Sequence, residues 1–286
     1  MIVDCHVNVY EDHQILQLQR EVSVNARPGS FQLLANPDRV YQAMGAVDKA
    51  ILFSLRYADS AGIDGDDEVT ARAVAKYPDK FVGFATVDPR RADAMELLRH
   101  AIEDLHLKGV KSGPIYSGVS LLDPRMQAIY AYCVRHNLPL TLHMGTTYAR
   151  NAPADLGRPI YVDEVAARHP ELKIVMAHMG HPWWGECIIV ARKQPNVYCE
   201  VSALYYRPWH FYNILITAQE YTIHDRSKIF WGTDFPYTTP EESLAGLRAI
   251  NHQVEGTALP RVSQETIEGI IHSNPFEHWW HGGLAV

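Results

Sequence analysis

The run Lys173-Ile174-Val175-Met176-Ala177-His178-Met179-Gly180 decides the fold. Its apolar residues follow one another without polar alternation, so the segment has no wet face and suits a strand of a parallel sheet covered on both sides. It ends on a histidine and, two residues on, a glycine, which delivers a polar side chain where the strand gives way to a turn. Leu138-Pro139-Leu140-Thr141-Leu142-His143-Met144-Gly145 repeats that pattern upstream. Working outward, further β-rich apolar runs lie at 2–6, 50–54, 81–87, 109–111, 197–201 and 228–234, which makes eight candidate strands with 138–143 and 173–178.

Helical patterns fill the intervals. In 124–136, Met126, Ile129, Tyr130 and Cys133 share one stripe and Asp123 is placed to cap the helix. In 92–105, Ala94, Leu97, Leu98, Ala101 and Leu105 do the same. Thr239-Pro240-Glu241-Glu242 reads as an N-cap, a first-turn proline and a capping-box glutamate, opening a helix to about residue 250. Each interval holds one loop, one helix and the next strand. Eight such units closing on themselves predict an α/β protein, a (β/α)8 TIM barrel forming a single domain over residues 1–286. The wide interval after the first strand, with a helix only near 36–44, predicts an enlarged first β-α loop, and residues 9–35 are expected to cover the site.

Composition bounds the function. With 286 residues, 47% of them hydrophobic, the chain can bury a large core. A net charge of −7 without long runs of one sign argues against nucleic acid or an anionic membrane as a partner and favours a small-molecule substrate. No apolar run approaches the roughly 18 residues that span a bilayer, and Met1-Ile2-Val3-Asp4 enters a strand without an export signal, so a cytoplasmic location is expected. Cys5, Cys133, Cys187 and Cys199 show no paired spacing and read as reduced, buried thiols.

In a barrel the chemistry sits where strands hand over side chains at their C-terminal ends. Asp4, His6 and Asn8 share a face at the end of the first strand; Lys111 and Ser112 end the fourth, His143 the fifth, His178 the sixth and Asp234 the eighth. Singly, each has a bland explanation, a structural histidine or a turn-capping aspartate. Together, three histidines and an aspartate at one end of four strands converge on one volume, and neutral imidazole with carboxylate is what a divalent zinc or manganese ion needs.

These segments resemble the amidohydrolase superfamily, in its amidohydrolase-related branch of hydrolases and acid decarboxylases that includes aminocarboxymuconate-semialdehyde decarboxylase. Asp4-Cys5-His6-Val7-Asn8 is similar to the branch's Asp-x-His-x-His, Gly109-Val110-Lys111-Ser112-Gly113-Pro114 to its Gly-x-Lys-Leu-His-Pro, and Ala177-His178-Met179-Gly180 to its Ala-His-x-Gly. Leu142-His143-Met144-Gly145 resembles the fifth-strand motif, and Gly232-Thr233-Asp234-Phe235-Pro236 matches Gly-[Ser/Thr]-Asp-[Tyr/Phe]-Pro, the most specific piece. The resemblance implies that His6, His143 and Asp234 bind one divalent metal ion, with Asn8 at the fourth ligand position. It also implies that His178 and Asp234 move protons, and that a dimer of the chain is the working form. Asn8 departs from the usual histidine; an amide oxygen is a harder, weaker donor, which favours manganese over zinc or leaves the site metal-free. Lys111, Arg56 and Tyr116 are candidates to hold a substrate carboxylate and ring. Tyr10, Tyr57, Trp183, Trp184, Tyr205 and Tyr206 could also line the pocket.

The expected function is metal-dependent hydrolysis of an amide, lactone or carbon–carbon bond in a small carboxylated substrate, by water that the metal makes acidic. The alternatives are non-oxidative decarboxylation of an aromatic or unsaturated acid, lactone hydrolysis without metal, and a barrel that binds without turnover.

Overall fold

A computed structural model describes residues 1–221 and 228–279. The single-domain reading of residues 1–286 extends to 222–227 and 280–286, which lie outside the described residues. The barrel strands are β1 (Val3–Asn8), β2 (Lys49–Phe53), β3 (Phe81–Gly83, resuming as Ala85–Thr86), β4 (Val110–Ser112), β5 (Leu140–Leu142), β6 (Ile174–Met176), β7 (Val197–Glu200) and β8 (Ile229–Phe230). All pair in parallel with their sequence neighbours, β1 to β2 to β3 on one side and β3 through β8 in order on the other. The ring closes between β8 and β1, where the Cys5 amide donates to the Trp231 carbonyl at 3.1 Å and the Asp234 amide to the His6 carbonyl at 2.9 Å. Every residue of β1 is buried, as a strand covered on both faces requires.

The capping chemistry read from the sequence is present. Asp123 accepts from the Arg125 amide at the start of Pro124–Arg135, and Thr239 and Glu242 make both bonds of the capping box that opens Pro240–Arg248. The expected helix at 92–105 is α-helical only over Ala94–Arg99 and widens to a π-helical turn over His100–Asp104. All four cysteines are free and buried.

Two insertions build the mouth of the barrel. The first β-α loop carries a short helix, Gln17–Ser23, before the helix Pro37–Ala43. After β2, a small antiparallel hairpin pairs Arg56–Tyr57 with Ile63–Asp64, and an isolated bridge from Ile15 to Ile63 ties it to the first loop.

Candidate active site

The sequence reading carried His143, His178 and Asp234 inside their strands; all three lie beyond them. β5 ends at Leu142 and β6 at Met176, while Asp234 stands past Phe230, the last residue of β8. His178 and Asp234 have left-handed backbones, with φ of 57° and 64°. Histidine and aspartate tolerate that region better than most residues, and leaving the ladder lets the side chain turn over the barrel axis. Ala203, just after β7, is left-handed as well, with φ of 61°.

Hydrogen bonds fix which atom of each ring faces inward. His6 Nδ1 lies 2.8 Å from Glu200 Oε1, so that nitrogen carries the proton. Its Nε2 then presents a lone pair 3.4 Å from Asp234 Oδ1 and 3.5 Å from Lys111 Nζ. The Ser202 hydroxyl donates to Glu200 Oε1 at 2.9 Å and therefore accepts from His178 Nδ1 at 2.7 Å. That leaves His178 Nε2 unprotonated, 3.2 Å from His143 Nδ1. His143 Nε2 lies 3.3 Å from the Thr146 carbonyl, which can only accept, so His143 Nδ1 is a lone pair too. Burial holds all three imidazoles neutral: it pushes the His143 pKa down to about 3 and those of His6 and His178 well below the ordinary value.

Asp234 accepts from Asn8 Nδ2 at 3.1 Å, and the same nitrogen donates to the Phe235 carbonyl at 2.8 Å. Asn8 thus presents its nitrogen to the cluster, not the oxygen a metal would need. The ligand position expected for it is filled by a donor that orients Asp234. Burial pushes the Asp234 carboxyl well above its usual range, against the pull of Asn8 and Lys111. Lys111 is 1% exposed, has its Nζ 4.6 Å from the centre of the Phe53 ring, and is brought down by burial to about 8.

Three lone pairs and a carboxylate oxygen therefore face one another with one ammonium beside them. Neutral imidazole nitrogens and a carboxylate are the donor types a divalent cation takes. Among the described residues, the group whose ligand atoms all lie within 4.8 Å of one another is His6, His178 and Glu200, and neither His143 nor Asp234 belongs to it. The Glu200 oxygens, however, already accept from His6, Ser202 and the His178 amide, which makes Glu200 the residue that positions the two rings.

These groups floor a cavity open to solvent. Lys111, Tyr116, Tyr10 and Tyr206 line it, as the sequence suggested. The Tyr116 ring lies 4.7 Å from that of His143, between centroids, tilted by 50°. The first loop adds Gln19, Val22, Ser23 and Ala26 to the wall. Arg56 does not reach the cavity: its guanidinium donates to the Gly65 carbonyl and sits 3.4 Å from Asp67, bracing the hairpin instead of meeting a substrate. Tyr57 and Tyr205 are spent on the carbonyls of Val87 and Gly232. Trp183 and Trp184 start the helix after β6, off the lining. Glu200, Ser202, Arg207, Tyr148 and Tyr237 were missed. Glu200 and Ser202 carried a signal, a glutamate and a serine two apart ending an apolar run, the same alternation that singled out His6.

A barrel with a metal-competent cluster of imidazoles and a carboxylate at its strand ends defines a class of hydrolytic and lyase enzymes. The chain belongs to the amidohydrolase family, whose model matches residues 3–278. Among solved structures it is similar to an uncharacterised TIM-barrel protein from Bordetella bronchiseptica, 19% identical with a TM-score of 0.74 over 97% of both chains. It is also similar to a probable 2-pyrone-4,6-dicarboxylic acid hydrolase from Acinetobacter baumannii with citric acid bound, 17% identical, TM-score 0.64, covering 96% of this chain and 98% of that one. A 5-carboxyvanillate decarboxylase from Novosphingobium aromaticivorans with bound manganese is 17% identical, TM-score 0.63, covering 98% and 96%. These likenesses establish the barrel fold. A search of curated proteins finds no match.

Proposed function

We propose that the protein is a hydrolase that opens an amide, lactone or carbon–carbon bond in a small carboxylated substrate, with one divalent ion, manganese or zinc, held by His6, His143 and Asp234. The observation that carries this reading is the gathering of buried imidazole lone pairs and Asp234 at one end of the barrel: His6 Nε2 lies 3.4 Å from Asp234 Oδ1 and His178 Nε2 lies 3.2 Å from His143 Nδ1, with Lys111 beside His6 and Asn8 donating to Asp234. When bound, such an ion polarises a carbonyl and makes water acidic enough to attack near neutral pH. The remaining work falls to the chain. Ser202 and Glu200 hold His178 in the tautomer whose Nε2 can take a proton from the attacking water and return it to the leaving group. Lys111, desolvated beside Asp234, counters the charge that develops on the carbonyl oxygen.

The test is elemental analysis of the protein after chelation and reconstitution, alongside hydrolysis of a panel of carboxylated lactones and amides. About one bound ion per chain with activity that follows occupancy is expected. Hydrolysis by metal-free protein, unchanged on adding manganese or zinc, overturns the metal and leaves lactone hydrolysis through His178 and Asp234.

A second reading, decarboxylation of a planar acid, is favoured by the phenol-rich wall of Tyr10, Tyr116, Tyr206 and Tyr237. Carbon dioxide release from 2,6-dihydroxybenzoate, with no hydrolysis of any ester or amide in the panel, would select it.

A further inference from the structure

The cavity is charged against the grain of the molecule. The chain carries a net charge of −7, yet the cavity lining holds two cations, Lys111 and Arg207, and one acid, Asp234. Lys111 belongs to the floor. Arg207 follows β7 and stands in the wall, where no carboxylate among the described residues lies within ion-pair distance of it. Its partners are uncharged: Nη2 donates to the Ala26 carbonyl at 3.0 Å and to the Tyr148 hydroxyl, Nη1 meets the Ala203 carbonyl at 3.4 Å, and the guanidinium lies 4.6 Å from the centre of the Tyr206 ring. Beside it His181 also lines the cavity, with a buried Nδ1 that has no hydrogen-bond partner among the described residues and a pKa pushed down to about 4 by burial and by Arg207.

Those contacts set the guanidinium rigidly. Ala26 belongs to the first loop and Tyr148 to the loop after β5, and the Tyr148 hydroxyl in turn donates to the Ala26 carbonyl at 2.9 Å. A half-buried guanidinium held by neutral groups on a ligand cavity keeps its full charge available, and its planar fork suits a carboxylate.

We propose that Arg207 binds a carboxylate of the substrate remote from the bond that reacts, so that the enzyme acts on molecules with one acidic or acyl group at the floor and a second carboxylate at the wall. The inference rests on the floor being the reacting end, as proposed above. It holds for either chemistry, because hydrolysis leaves a new carboxylate at the floor and decarboxylation starts from one. The ligand class is therefore a compact dicarboxylate or its monoacyl precursor.

Binding without turnover tests this separately from the reaction. The full-length protein with manganese present is titrated calorimetrically with benzoate, 3-carbamoylbenzoate and isophthalate. Isophthalate is expected to bind at least about tenfold more tightly than the other two, since 3-carbamoylbenzoate keeps the shape and loses the charge. Arg207→Gln should remove that preference while changing benzoate affinity less than about twofold, and Arg207→Lys should restore part of it. Equal binding of the three ligands by the wild-type protein, or no binding of isophthalate, overturns the proposal without recourse to any variant. So does a preference that survives Arg207→Gln, or a loss of affinity in that variant that is equal for all three, which would make Arg207 a clasp between loops and nothing more. Absence of hydrolysis or decarboxylation in the activity panel would leave this comparison intact.

Discussion

Glu200 orients two rings from one carboxyl group, and neither ring could keep its tautomer without it. One oxygen takes the His6 ring proton and the Ser202 hydroxyl; the other takes the Ser202 amide. Glu200→Gln replaces one acceptor oxygen with an NH2 group that must face a donor. It is expected to weaken metal binding by about 10–100-fold, the usual cost of losing a partner that orients a metal-binding histidine. Competition with a chelator measures it, and an unchanged affinity would leave Glu200 a filler of space. His143→Ala removes a cavity-facing lone pair outright and should abolish both metal retention and turnover; a metal-loaded, active variant would reassign the ligands. Asn8→Ala deletes a bond that pulls the Asp234 pKa down, so that pKa should rise. Metal binding then has to displace a proton over a wider range, and occupancy measured against pH should fall off at higher pH than in the wild type.

At the scale of elements, the strands were legible because unbroken runs such as Ile174–Met176 have no other stable place than between two layers. The helix starts were legible from Asp123 and Thr239 for the same reason that caps form at all, orphan amides needing acceptors. What the sequence did not carry was where each strand stops. His178 and Asp234 leave the ladder in left-handed turns, and period-two alternation does not encode such a departure. Long-range partners were equally hidden: nothing near Arg56 announces Asp67, and nothing near Arg207 announces Ala26 or Tyr148. The turn after β5 depends on Gly145, which has φ of 99° and lies so close to the His181 carbonyl that a Cβ would collide with it. Gly145→Ala is therefore expected to cost roughly 1–3 kcal/mol, from strain and collision together. Urea unfolding would show it, and a variant as stable as the wild type would mean that the turn relaxes freely.

For the whole molecule, stability should depend on pH through buried groups that fold uncharged. The His181 pKa falls to about 4 in the folded chain, below its ordinary 6.5. A depressed histidine stabilises above the unfolded value, and that contribution is lost as pH falls from about 6.5 towards 4, where the unfolded chain binds the extra proton. Asp67, raised by burial to about 6, acts in the opposite sense: its contribution is present below 3.8 and lost as pH rises through about 6. Thermal melts across that range should show acid destabilisation that His181→Gln reduces; an identical pH profile in that variant would remove His181 from the account.

One seam of the barrel does two jobs. The Asp4 carboxyl, fully buried, grips the Thr233 amide at 3.0 Å and the Thr233 hydroxyl at 2.7 Å, and so pins the end of the last strand to the first. Asp234 is the very next residue, its own amide bonded to His6. The latch that keeps the cylinder shut is thus also the mount of the carboxyl group proposed to hold the metal. Heat that merely loosens the latch should silence the enzyme while most of its helices are intact, making loss of turnover an early alarm that the cylinder has begun to unzip.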